Sequence, residues 1–251
     1  MFDSTQGEPL QRPACGTGEP LLRFDGVDAD GERTGLQACS VTLHRGEVVG
    51  LAGLSGSGQG VFLRLAAALL QPRKGTIWYL ERSHRGRHHG SFRRAGGGFL
   101  PADRLEEGLI PGFTVQDHFA LARGLPAHRA RAAAEAAITR FDIRGRPGSP
   151  VESLSGGNQQ RLQLALIPED AALILLEEPT RGLDVASGHW VWRNLLARCG
   201  DRGTIVFSSS ELDEILSVSS RVLVFYDGRV VRDLRGEELD YHAIASAMTG
   251  N

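Results

Sequence analysis

The chain has 251 residues, of which 41% are hydrophobic, enough to bury a large core as one domain or as one domain with a smaller subdomain. Its 28 basic and 30 acidic residues give a formal charge of -2, so no global basic field points to nucleic acid or to an anionic membrane surface. The cysteines Cys15, Cys39 and Cys199 are odd in number and scattered, which argues against a disulfide framework or a zinc site.

Residues 1–20 are predicted to be a disordered leader. They are polar, rich in Gly and Pro, and lack the apolar core of a signal peptide. No later stretch approaches the ~20 apolar residues that a membrane-spanning helix needs. We therefore expect a cytoplasmic protein with a folded part at 21–251.

The first folded segments are predicted to be short strands that lead into a glycine-rich turn. "LLRFDGV" and "GLQACSVTLHRGEVVGLAG" end in the apolar run 48–52, and "GLSGSGQG" follows directly. "VFLRLAAALLQP" then has the spacing of a helix that continues to Pro72. Strand, glycine turn and helix in this order are typical of a phosphate-binding loop, G-x-x-x-x-G-K-[ST].

This loop lacks two of its expected side chains. Gln59 stands in place of Lys and cannot supply positive charge to phosphates, and Gly60 has no hydroxyl for Mg²⁺. Lys74, the sole lysine of the chain, lies outside it. Backbone amides could still hold phosphate, and an ordinary glycine-rich turn is the alternative. The candidate phosphate-binding residues are Gly53, Ser55, Gly56, Ser57, Gly58, Gln59 and Gly60.

The next segments are predicted from composition. "RKGTIWYL" favours a strand, whereas 83–98 is so rich in Gly, His and Arg that we expect a solvated loop. Its histidines His84, His88 and His89 have none of the carboxylate or thiolate neighbours of a typical metal site.

The second half of the chain alternates helical and strand patterns. Residues 114–143 are Ala-rich and helical, and "AALILLEEPTRGLD" is an apolar strand ending in paired carboxylates. "HWVWRNLLARCG" predicts a helix, "RGTIVFSSSELDEIL" a strand and helix, and "RVLVFYDGRVVRDL" a hairpin turning at Asp227-Gly228. This alternation implies a mainly parallel sheet covered on both faces.

Three motifs carry a resemblance to a known family. "LPADRLEEGL" (100–109), "LSGGNQQR" (154–161) and "LLEEPTRGLD" (175–184) occur in this order. The chain resembles the ATP-binding cassette (ABC) ATPases, most strongly the second cassette of importers for simple sugars and nucleosides, from about Leu21 to Leu234. The resemblance implies an α/β fold with a P-loop NTPase-like core, a mainly parallel sheet, an antiparallel β-subdomain and an inserted helical subdomain at about 114–160.

The signature segment comprises Leu154, Ser155, Gly156, Gly157, Asn158 and Gln159. Ser-Gly-Gly at a helix start presents a hydroxyl and bare N–H groups to a phosphate, aided by the helix dipole. An ordinary N-cap is the alternative. In the family this segment closes over ATP held by the opposite cassette of a head-to-tail dimer, and Asp184 matches the aspartate that acts across the dimer interface.

The nucleotide-holding half departs from the family pattern. Glu178 matches the catalytic glutamate, but Glu177 stands one methylene too long at the position that organises Mg²⁺. Ser210 replaces the histidine that senses the γ-phosphate, Ala102 replaces a polar side chain, and 27–35 has no aromatic ring for adenine. Loss of one preorganised group typically costs about 10²–10³ in rate, so this site is predicted to be degenerate.

The resemblance implies the ATP-binding subunit of an importer, with ATP and Mg²⁺ as cofactors. Its expected partners are a second cassette with an intact phosphate loop, two membrane permeases and, indirectly, an extracytoplasmic substrate-binding protein. No nucleic-acid partner is expected, and the protein would lie on the inner face of the cell membrane. The alternatives are a non-transport ABC regulatory module and a scaffold that binds no nucleotide.

Overall fold

A computed structural model describes residue 10, residues 18–199 and residues 203–251. The first strand, β1, begins at Pro20. Most of the predicted leader, together with Cys15, lies outside the described residues.

The main sheet has six strands, and its parallel part matches the prediction. Their spatial order is β10-β9-β3-β8-β7-β6, and every neighbouring pair is parallel except β9 with β10. Strands β3 and β7 are buried along their whole length, as expected for strands covered on both faces. The strands are β3 (Val48–Ala52), β6 (Gly97–Leu100), β7 (Leu173–Glu177), β8 (Thr204–Ser208), β9 (Arg221–Tyr226) and β10 (Arg229–Arg235).

The N-terminal part of the chain forms a second sheet of four antiparallel strands in the order β2-β1-β4-β5. Its apolar side chains form one core with α1 and with one face of the main sheet. This confirms the antiparallel β-subdomain. Its strands are β1 (Pro20–Ala29), β2 (Leu36–His44), β4 (Lys74–Tyr79) and β5 (Arg82–Ser83).

Helices cover the rest of the fold. The second core joins the other face of the main sheet to α3, α4 and α5, which contact one another. A π-helical turn, Arg104–Gly108, follows β6. In the described ranges no helix combines the length and apolar character needed to cross a membrane. The helices are α1 (Gln59–Ala66), α2 (His89–Arg94), α3 (Val115–Arg123), α4 (Ala127–Arg140), α5 (Gly156–Leu166), α6 (Val185–Cys199), α7 (Leu212–Val218) and α8 (Tyr241–Met248).

The prediction of a solvated loop at 83–98 was wrong. This segment contains α2 and the start of β6. Phe92 is 2% exposed and His84 4%, and both rings pack on Tyr79. The ring of His89 also bonds to the Ala67 carbonyl at 2.9 Å. A few buried rings therefore override a polar, glycine-rich composition. In the described part of the chain no cluster of three or more His, Cys, Asp or Glu could hold a metal ion.

Of two other predicted boundaries, one is confirmed and one is wrong. The hairpin turns at Asp227-Gly228 as predicted, and both residues have positive φ, 44° and 75°, as a tight hairpin turn requires. Helix α1, in contrast, ends at Ala66 and does not reach Pro72, because Ala68 adopts a left-handed φ of 54°.

Candidate functional site

The predicted phosphate loop lies between β3 and α1, at the carboxyl end of a parallel strand. Gly56 and Gly58 have φ values of 86° and 115°, which glycine adopts without strain. The loop is held by a bond from the Ser57 N–H to the Leu54 carbonyl (3.0 Å) and by one from the Gly228 N–H to the Ser57 carbonyl (3.1 Å). The N–H groups of the first turn of α1 have no intrahelical acceptor and are suited to an anion.

Gln59 turns back into this loop. It is 8% exposed, and its amide donates to the Leu54 carbonyl at 3.4 Å. A Cβ on Gly53 would stand 2.4 Å from this Nε2 atom and 2.8 Å from the Phe225 carbonyl oxygen, so the side chain packs directly on the Gly53 backbone. The side chain at the lysine position therefore satisfies the loop's own backbone.

Glu177, at the end of β7, is paired with an arginine that sequence reasoning missed. Arg64 lies four residues after Gly60 on α1, and its Nε is 3.1 Å from Glu177 Oε1. The same guanidinium contacts Glu107 at 2.7 Å, and the Ala102 N–H donates to Glu177 Oε2 at 3.3 Å. Burial raises the pKa of the Glu177 carboxyl, and the charge of Arg64 opposes that rise.

These residues do not fit Mg²⁺. The hydrogen bond from Arg64 goes to Oε2 of Glu177 at 3.2 Å, whereas Oε1 is close to the guanidinium without a bond of hydrogen-bond geometry. Oε1 lies 3.8 Å from the position of a Cβ on Gly60, so it faces the loop. A divalent ion beside it would stand against the guanidinium of Arg64, and Gly60 offers no side-chain oxygen. Mg²⁺ prefers a near-octahedral set of oxygen ligands, which this pair does not provide.

Two of the predicted catalytic residues meet. The N–H and hydroxyl of Ser210 both donate to Glu178 Oε2, at 3.1 and 3.0 Å. Glu178 has a left-handed φ of 48°, which costs about 1–3 kcal/mol in a non-glycine residue and is common at functional sites. Ser210 therefore holds the carboxylate that is predicted to be catalytic and leaves less of it free to orient a water.

The signature segment forms the N-terminal end of α5, and its serine side chain is not used to cap the helix. Ser155 occupies the N-cap position with extended backbone, but its side chain caps nothing in its own helix. Its hydroxyl instead accepts from the Asn158 amide at 2.8 Å, and the Asn158 oxygen accepts from the Arg144 N–H at 2.8 Å. Ser155 is therefore the N-cap residue by position, but it lacks the side-chain bond of an ordinary N-cap.

A cleft of about 540 Å³ lies between the signature segment and the loop that precedes α6. Asp184 lies there and accepts from the N–H and hydroxyl of Ser187 at 3.0 and 2.8 Å. The bond from the Ser187 N–H, and to a smaller extent the bond from its hydroxyl, lowers the pKa of Asp184. This residue therefore remains an anion. The described lining residues are Asp142, Arg144, Ser155, Gly156, Gly157, Asn158, Arg161, Gly182, Leu183, Asp184 and Ser187.

Arg104, which sequence reasoning also missed, joins the 100–109 motif to the signature helix. Its Nε donates to Gln160 at 2.8 Å, and its Nη2 donates to the Arg181 carbonyl. Burial lowers the pKa of the Arg104 guanidinium. Three segments that are distant in sequence are thereby fixed to one another.

The structure thus divides the predicted site residues into two groups. The loop at 53–60, Glu177, Glu178 and Ser210 form one group around the ends of β3, β7 and β8. The signature and Asp184 form the other, and no residue of the 53–60 loop is among the described residues that line their cleft.

Comparison with known proteins places this arrangement in a family. The family model described as "ABC transporter" matches residues 36–181. A glucose import ATP-binding protein, TsgD13, of Haloferax volcanii is 34% identical, and the match covers 96% of this chain and 47% of that protein. A ribose import ATP-binding protein, RbsA 2, of Rubrobacter xylanophilus is also 34% identical, with 93% and 46% covered. The chain spans about half the length of the curated relatives it matches.

Solved structures agree in fold. A dimeric structure of a post-hydrolysis state of the ATP-binding cassette MJ0796, bound to ADP and Pi, has a TM-score of 0.73 at 21% identity and covers 86% of this chain and 98% of that one. The ATP-binding cassette MJ1267 has a TM-score of 0.76 at 15% identity, with 92% and 98% covered. Since the family model matches more than half of the chain, this protein belongs to the ABC transporter family and has the fold of its ATPase cassettes.

Proposed function

We propose that this chain is an ATP-binding subunit of a simple-sugar importer and supplies its signature segment to the ATP site of a second cassette. Its own phosphate loop would be degenerate, with hydrolysis at that site impaired. The sugar-import names of the relatives support the cargo class. ATP-driven closure at the one complete composite site would power transport.

The observation that carries this proposal is the contrast between the two halves. The Ser155 hydroxyl forms no hydrogen bond to the backbone of its own helix, accepts one from the Asn158 side chain, and lines the signature cleft. In the other half, Gln59 is turned into the loop and Arg64 neutralises Glu177. A homodimer would contain two defective sites, whereas a heterodimer with a complete cassette keeps one site with all its groups.

At the composite site, ATP would be bound by the lysine and Mg²⁺ of the partner cassette. The hydroxyl of Ser155 and the N–H groups of Gly156 and Gly157 would approach the γ-phosphate, in the field of the N-terminus of α5. Asp184 would contact the partner across the interface. Donors placed in advance in this way stabilise charge without reorganising during the reaction.

A groove between the helical segments and the core supports a permease as partner. Its volume is about 520 Å³, and Arg64, Glu107 and Gln163 are among its lining residues. Leu121 at this groove is 63% exposed and Leu69 is 42% exposed. A groove that offers both exposed leucines and charged side chains is suited to an amphipathic helix, and we infer that a cytoplasmic helix of a permease binds here. The protein would then lie on the inner face of the membrane.

ATPase measurements on the isolated chain and on its complex with the partner cassette test this function. The partner is chosen as the cassette that copurifies with the tagged chain and carries an intact G-x-x-x-x-G-K-[ST] loop. We expect negligible turnover by the isolated chain and robust turnover by the complex. Robust turnover by the isolated chain would contradict a degenerate site, and copurification with ribosomes in place of permeases would contradict a transport role.

A further inference from the structure

Arg33 lies against the phosphate loop, in the segment where the family resemblance leads one to expect an aromatic ring. A Cβ built on Gly56 would be 3.2 Å from Arg33 Cδ and 3.5 Å from its Cβ. The aliphatic part of the arginine therefore packs on the loop backbone at the glycine that has a φ of 86°. An arginine can bury its stem in this way while its charged head stays in solvent.

The guanidinium of Arg33 is available to a ligand. Arg33 is exposed, and within the described ranges its side chain forms no hydrogen bond or ion pair. Two acids of the same segment have their own cations: Asp28 lies 3.8 Å from Lys74, and Asp30 lies 3.9 Å from Arg73. Arg33 is thus a free positive charge beside a loop that has lost its lysine.

A second arginine already occupies the carboxylate at the position that organises a metal in the family pattern. In the region where a cation would balance Glu177, Arg64 already contacts this carboxylate and Glu107. Arg64 is in the last turn of α1 and is balanced by these two carboxylates, so it leaves no positive charge for a ligand and the charge at the loop has to come from Arg33.

We propose that the loop at 53–60 binds the polyphosphate of a nucleotide without a metal ion, and that Arg33 is the residue that supplies the charge missing at Gln59. The planar guanidinium forms paired bonds to phosphate oxygens, and the N–H groups of the loop and of α1 bind the remainder. This inference deepens the proposed function and rests on it, since it assigns a nucleotide-retaining role to the half that does not turn over.

The test is an equilibrium titration of the intact, isolated chain with a fluorescent ATP analogue, in excess EDTA and again in excess MgCl₂. We expect saturable binding with the same affinity in both buffers. Arg33→Ala should weaken binding about tenfold, the lower end expected for a charge-assisted bond at an exposed position. Arg33→Lys keeps the charge and should recover part of the loss.

Arg129→Ala is the matched control, because Arg129 is an exposed arginine on α4, in the helical part of the fold. It should bind as the wild type does, and circular dichroism melts of all variants report whether they are folded. Binding that requires Mg²⁺, an absence of binding, or equal losses in Arg33→Ala and Arg129→Ala would overturn the inference. None of these results affects the ATPase of the complex, so failure here is distinguishable from failure of the proposed function.

Discussion

Replacing Arg64 by Met tests the ion pair between Arg64 and Glu177, next to the loop at 53–60. The change keeps an unbranched side chain but leaves Glu177, only 7% exposed, with the Ala102 N–H as its one remaining polar contact described above. Removal of one partner from a fully buried pair costs about 3–5 kcal/mol. Because the Arg64 side chain is 33% exposed, solvent screens its charge and we expect about 2 kcal/mol. That corresponds to a fall of about 4–8 °C in melting temperature.

This loss of stability should depend on pH. Burial already raises the pKa of Glu177, and Arg64 opposes the rise, so the pKa rises further in Arg64→Met. The folded variant then binds the proton more tightly than the unfolded chain does. Its deficit is largest above the folded pKa and shrinks as the pH falls toward the unfolded pKa. The double variant Arg64→Met/Glu177→Gln leaves no buried charge at this position and should recover most of the stability.

Urea unfolding followed by circular dichroism, over a range of pH, measures these differences for Arg64→Met, for Glu177→Gln and for the double variant. Arg131→Met is the matched control, because Arg131 forms an exposed pair with Glu135 at 3.1 Å and such pairs contribute about 0.3–0.5 kcal/mol. Additive losses in the double variant, or a deficit that is unchanged by pH, would show that Arg64 does not stabilise the buried charge of Glu177.

Three further outcomes follow from buried groups away from the site. Glu47→Ala removes a fully buried partner of Arg221, 3.0 Å away, and should cost about 3–5 kcal/mol in urea unfolding; a loss typical of exposed pairs would count against this. Burial lowers the pKa of His84 from 6.5 to about 4. Its contribution of about 3 kcal/mol to the free energy of unfolding should therefore be lost as the pH falls from 6.5 to about 4, and His84→Phe should flatten this part of the stability profile. Burial raises the pKa of Cys39 to about 12 and of Cys199 to about 11. In a Cys15→Ser variant, neither thiol should therefore react with thiol reagents at neutral pH until the protein unfolds, and rapid labelling of the folded protein would contradict the structure.

The architecture could be predicted because its signals are local and repeated. Apolar runs such as 173–176 give buried parallel strands, and Asp227-Gly228 gives the hairpin, each from a few adjacent residues. The motif order then led to the family, which the comparisons confirmed. The segment 83–98 was misjudged because the burial of His84 and Phe92 depends on partners that are distant in sequence.

The charges of the site were not predictable in the same way. Nothing in the local sequence of α1 indicates that Arg64 reaches Glu177, more than a hundred residues later. Arg33 lies in a segment that was notable only for its missing aromatic ring, and its contact with Gly56 depends on how β1 and β2 bring that segment over the loop. The sequence pattern shows which groups are absent, whereas the positions of Arg33 beside Gly56 and of Arg64 beside Glu177 are set by tertiary packing.

We propose that the signature half works at a partner's site while the chain's own catalytic half does not. The most direct measurement is the steady-state ATPase rate of the complex with the partner cassette, for Ser155→Ala and for Glu178→Gln. We predict that Ser155→Ala lowers the rate by about 10²–10³, that Glu178→Gln leaves it nearly unchanged, and that Ser153→Ala, a control outside the cleft, has no effect. A large loss in Glu178→Gln with little effect of Ser155→Ala would contradict the account.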